Sequence, residues 1–73
     1  MRGYEIHNTK HGSFAVWKAR LRDEMPQADE YLPNPVLWWA KYLGPGERDW
    51  VACGVRTKRE ALALINAYGY DNR

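Results

Sequence analysis

The stretch Val51-Ala52-Cys53-Gly54-Val55-Arg56-Thr57-Lys58-Arg59-Glu60-Ala61 decides the fold. Its first half alternates as a strand does, and its second half opens an amphipathic helix. Thr57 is a strong N-cap type, and Glu60 stands three residues on, where its carboxylate can return to the Thr57 amide. On a 3.6-residue period Ala61, Leu62, Leu64, Ile65 and Tyr68 form one apolar stripe, with Arg59, Ala63, Asn66 and Ala67 opposite. The helix is expected over about 58–68. Gly69 is then placed to take a left-handed terminating position, with Tyr70 folding back over Ile65.

Working outward, Tyr4 to Thr9 alternates as an edge strand, and Lys10-His11-Gly12 reads as a three-residue hairpin loop. A longer strand over 13–22 turns basic at Lys18, Arg20 and Arg22. Three prolines and four acids then break the pattern across 23–35, where Pro26 to Leu32 can form one or two helical turns. An aromatic strand over 36–43, a turn at Gly44-Pro45-Gly46-Glu47 and a strand over 48–55 lead back to the helix. The expected fold is a single two-layer α+β domain over 1–73. It has a four-stranded, mostly antiparallel sheet and one C-terminal helix on one face.

Pairing the strands exposes a conflict. A three-residue loop sets Ile6 opposite Val16 and groups Tyr4, Ile6, Phe14 and Val16 on the helix side. A four-residue loop at Gly44–Glu47 sets Trp38 opposite Cys53, which makes Cys53 a core residue. Trp38 and Trp39 are consecutive, so one of them must point away from the helix. By alternation Trp17, Trp39 and Trp50 all fall on the uncovered face. Three explanations stand: the 23–35 segment folds across with Met25, Tyr31 and Leu32; the face docks a protein or a second copy; or it stacks nucleic-acid bases. A register error of one residue would exchange the faces.

Composition bounds the function. With 73 residues, folding buries roughly 60% of the unfolded chain's surface, so stability is marginal. A single Cys excludes an internal disulfide and a thiolate zinc cluster. His7 and His11 straddle a turn and read as surface histidines. No carboxylate pair, phosphate loop or nucleophile–base set is present, so no cofactor, metal or catalytic residue is expected, and the chain is not read as an enzyme. No leader segment or membrane span is visible, giving a cytoplasmic, soluble default. A net charge of +2 permits a nucleic-acid partner without requiring one. Lys41, Arg48 and Arg56 rim the aromatic face, while Lys58 and Arg59 flank the helix start and Arg20 and Arg22 extend the basic edge.

The Gly54–Ala61 junction resembles the N-terminal arm-site DNA-binding domain of phage-type tyrosine recombinases, a small antiparallel sheet followed by one helix. Gly12-Ser13-Phe14-Ala15-Val16-Trp17-Lys18-Ala19 looks like the second strand of that module. The resemblance implies a sheet face turned into the major groove, with Trp17, Lys41, Trp50 and Arg56 making contact. It covers about half the chain, and the 23–43 insertion departs from the family pattern. The chain also looks like small accessory proteins of phages and mobile elements, which include excision factors and inhibitors of host complexes such as anti-CRISPR-like blockers. The expected partner is therefore nucleic acid through the helix-free face, or a host protein complex through the same face, or a second copy that hides it. The residues expected there are Trp17, Arg20, Arg22, Trp39, Lys41, Arg48, Trp50, Arg56, Lys58 and Arg59.

Overall fold

The capping box forms as its spacing requires. In the computed structural model, which describes residues 3–71 with side chains through residue 68, the Thr57 amide donates to Glu60 Oε1 at 3.1 Å. The Glu60 amide donates back to Thr57 Oγ1 at 3.2 Å. Two otherwise unpaired amides are thereby satisfied at the start of a helix.

The elements follow in the order β1 (Tyr4–Thr9), β2 (Gly12–Arg20), α1 (Leu21–Glu24), β3 (Val36–Gly44), β4 (Asp49–Val55) and α2 (Lys58–Asp71). The strands make one antiparallel sheet in the order β1-β2-β3-β4, with α2 against β4 and β3. This is the expected small α+β architecture. No helix among the described residues is long and apolar enough to cross a membrane.

The core lies between sheet and helix. Phe14, Val16, Ala40, Tyr42 and Ala52 from the strands meet Ala61 and Ile65 from α2. Tyr68 stacks on Tyr42 at 4.8 Å between centroids and meets Phe14 edge-on at 5.4 Å. Such pairs add about 0.5–1.5 kcal/mol to the area they bury. Leu64, expected on the apolar stripe, is instead exposed, because α2 rolls its Leu62 side toward the sheet. The helix also runs on through Gly69 to Asp71, so Gly69 does not terminate it. The expected Tyr70–Ile65 contact lies outside the described side chains.

Two registers and the place of one helical turn differ from the expected arrangement. The first hairpin has a two-residue loop, Lys10-His11, with Thr9 opposite Gly12. Gly12 takes the positive φ, +134°, that favours glycine at this hairpin, and close approach requires it as well: a Cβ there would lie 2.5 Å from both the Gly44 carbonyl oxygen and Tyr42 Cε1. One residue of register turns β1 over, so Tyr4, Ile6 and Asn8 leave the helix side and Glu5 and His7 join it.

On the other flank, the expected pairing holds at Lys41–Trp50 and Tyr42–Asp49. It then slips twice, because β4 carries an extra residue at Val51 and another at Gly54. Gly54 has φ +76°, the left-handed conformation that such a bulge demands. The slip moves Ala52 into the core and turns Cys53 to the exposed side, which overturns its expected burial.

Third, the helical turn near the insertion forms at Leu21–Glu24, upstream of the 26–32 span expected to hold it. The Met25 amide closes on the Leu21 carbonyl at 2.8 Å. Pro26 then ends the helix, since it has no amide to continue the ladder and holds Met25 out of the α region.

Two outcomes check this account. Gly54→Ala forces a left-handed alanine whose Cβ lies 3.1 Å from Leu37 Cδ1. It is expected to cost about 1–3 kcal/mol in urea unfolding. The second concerns Glu5, whose carboxyl is held below its ordinary value by the Lys58 ammonium at 2.7 Å and then by His7 at 3.0 Å. The unfolded chain therefore protonates first on acidification. The stabilisation is present above the ordinary carboxylate range and is lost as pH falls through the lowered value. Glu5→Gln is expected to shrink the drop in Tm between neutral and acidic buffer; an unchanged acid limb would contradict the pairing.

Candidate binding face

The helix-free face is organised by cross-strand rows. Tyr4, Trp17, Trp39 and Cys53 align across the four strands, and Ile6, Ala15, Lys41 and Trp50 align beside them. Trp17, Trp39 and Trp50 thus do share the face away from α2, and Trp38 is the indole of the pair that turns toward the helix.

They are not equally accessible. Trp39 is 1% exposed, Trp17 is half-buried and Trp50 is 41% exposed. Trp50 closes over the sheet to within 5.7 Å of Trp17 and 6.1 Å of Trp39, centroid to centroid. Beneath them Ala15 and Ala19 are small enough to let the indoles lie low, and both are buried. The Trp39 Nε1–H donates to the Ala19 carbonyl at 3.1 Å, which satisfies its one polar atom. Gly54 completes the nest, since an added Cβ would stand 3.4 Å from the Trp39 ring.

Trp39 is therefore a second, local core and not a contact residue, which corrects its expected place in a binding surface. The 23–35 segment does not seal the face with Met25, Tyr31 and Leu32 either. All three are exposed, Tyr31 at 89%. Its contribution here is Glu24, whose Oε2 accepts from Trp17 Nε1 at 3.1 Å.

The expected basic residues divide by what they touch. Lys41 stays on the face, its Nζ 5.1 Å from the centroid of the Trp50 ring. Arg48, Arg56 and Arg59 are exposed, Arg48 in the loop before β4 and Arg56 just past its end. Arg20 and Arg22 hold the insertion: Arg20 Nη1 donates to the Asn34 carbonyl at 3.0 Å, and Arg22 Nη1 to the Asp29 and Leu32 carbonyls at 2.8 and 2.9 Å. Lys58 lies on the opposite side, paired with Glu5 and 5.9 Å from the Trp38 ring, which Lys18 also approaches at 5.7 Å. What the structure brings together on the face is Trp17, Lys41 and Trp50.

Sequence reasoning missed Tyr4 and Ile6. Both belong to this face and are 47% and 49% exposed. The signal lay in the hairpin: an even loop length sends the even-numbered residues of β1 to the side of Trp17. Cys53 also joins the face. Its thiol is pushed above the ordinary range by burial and then by the Asp49 carboxylate, so it carries little thiolate near neutrality. Among the described residues no cluster of His, Cys, Asp and Glu could hold a metal ion.

Unequal roles for the tryptophans predict unequal costs. Trp39→Ala empties a sealed site and is expected to lose about 3–5 kcal/mol of stability. Trp50→Ala, on a partly exposed ring, is expected to lose less than half as much. Equal losses in chemical denaturation would contradict the division. Comparison of the chain with protein-family models, with curated proteins and with solved structures finds no match.

Proposed function

We infer that the chain is a small non-catalytic binding module of phage or mobile-element type that contacts nucleic acid through the helix-free face. The observation that carries this reading is the partly exposed Trp50 indole with the Lys41 ammonium over its ring, 5.1 Å from the centroid. An aromatic ring offers a stacking surface to any base, worth about 1–3 kcal/mol per base, while a neighbouring cation meets phosphate. Trp17 supports the platform from beneath, and exposed Arg48 and Arg56 bracket β4 at its two ends. With Arg20, Arg22 and Lys58 engaged elsewhere, few cations among the described residues remain on this face for phosphate, which suits short single-stranded contacts better than a long duplex track.

A second reading, a protein-binding inhibitor or adaptor, is favoured by Tyr4 and Ile6. They extend the exposed apolar surface to the far edge of the sheet, beyond what base stacking needs. Fluorescence anisotropy with a labelled oligonucleotide separates the two. Nucleic-acid binding is expected to weaken steeply as salt rises, and Trp50→Ala is expected to lower affinity about 5- to 150-fold, the equivalent of one stacked base. Flat titrations with single- and double-stranded DNA and RNA at low salt would remove the first reading.

A further inference from the structure

We propose that the open edge of β1 pairs with β1 of a second copy, antiparallel about a two-fold axis through Ile6. Among the described residues β1 has a strand neighbour on one side only, and its pairing with β2 contains no bulge. Its six residues hold no proline and no lysine, and its one carboxylate, Glu5, is offset by Lys58, so it carries few of the devices that keep sheet edges apart.

The backbone geometry fixes which groups face outward. Thr9 and Gly12 close a two-residue loop and so form a narrow hydrogen-bonded pair. Alternation then directs the backbone groups of Thr9, His7 and Glu5 toward β2. Those of Asn8, Ile6 and Tyr4 point away from the sheet.

Self-pairing must match outward groups with outward groups. Centring on Ile6 does so, and it overlaps Tyr4 through Asn8 of one copy with Asn8 through Tyr4 of the other. In that register each Glu5 stands opposite His7 of the second copy, a carboxylate facing an imidazole on the helix side. Within one chain these two groups already lie 3.0 Å apart. On the other side Ile6 meets Ile6, and Tyr4 meets Asn8. The two exposed apolar side chains of β1 thus lose water together. The same patch serves both copies, as a closed two-fold contact requires. Five paired residues fall below a standard interface, so association is weak and depends on concentration. This surface is the strand edge, not the tryptophan platform, and the inference stands whether or not the face binds nucleic acid.

Sedimentation of the full chain without nucleic acid, from about 10 μM to about 1 mM, tests it in the range of weak interfaces. The mass is expected to rise toward twice that of the chain. Ile6→Lys sets two ammonium groups on the axis and is expected to weaken association at least tenfold, with far-UV circular dichroism confirming the fold. Glu5→Lys is expected to weaken it, and Glu5→Lys with His7→Glu to restore it. Amide exchange gives an independent reading on the unaltered chain: the Tyr4, Ile6 and Asn8 amides should gain protection as concentration rises. A monomer throughout, association indifferent to Ile6→Lys, or these amides remaining unprotected in the associated state would each overturn the proposal.

Discussion

Burial of the Trp39 indole on the side of the sheet that no helix covers is the constraint to which much of this small structure answers. A buried side chain of that size removes about 150–250 Å² from water, worth about 4–6 kcal/mol, a large fraction of what a domain of this length can muster. The burial is assembled from three strands: small Ala15 and Ala19 on β2, Leu37 beside it on β3, and on β4 Gly54, with no side chain, and Trp50 as the cover. The bulge at Gly54 belongs to the same device, since it brings β4 into position without a Cβ against the ring. One sheet therefore carries two apolar clusters, one closed by a helix and one closed by its own tryptophans.

The charges follow a similar division of labour. Arg22 and Arg20 act as struts for a segment rich in turns, donating to backbone carbonyls that lack a ladder partner. Lys58 ties the first turn of α2 across the sheet to Glu5 on the far edge strand. Such exposed pairs contribute little energy individually, but they fix where elements lie. The groups that remain at the surface of the aromatic face, Trp17, Lys41 and Trp50, lie together on β2, β3 and β4.

Much of the architecture was legible in the sequence because its signals were local. Thr57 and Glu60 announced the helix, and the alternation of Tyr4 to Thr9 and of Val36 to Leu43 announced strands at the bounds observed or within a residue of them. The consecutive Trp38 and Trp39 correctly required an indole on the uncovered face. What was not legible depended on tertiary contact. The length of the first hairpin loop depends on whether Gly12 pairs with Thr9 or stays in the loop, a choice that strand alternation does not make. The extra residue at Val51 reverses Ala52 and Cys53, and the one at Gly54 returns Val55 to the helix side; alternation alone carries no sign of either. Accessibility was the hardest quantity: Trp17, Trp39 and Trp50 look alike in sequence and differ from sealed to open because of what leans on each.

The bulges of β4 carry one more consequence. A sheet with two equally regular margins can add copies at both and grow into an open-ended filament. Here the last strand is kinked at Val51 and Gly54, so its outward backbone groups do not present an even row for another chain. With the proposed β1 pairing, growth would proceed at one margin only, and the assembly would end after a single step, short of an open-ended fibre.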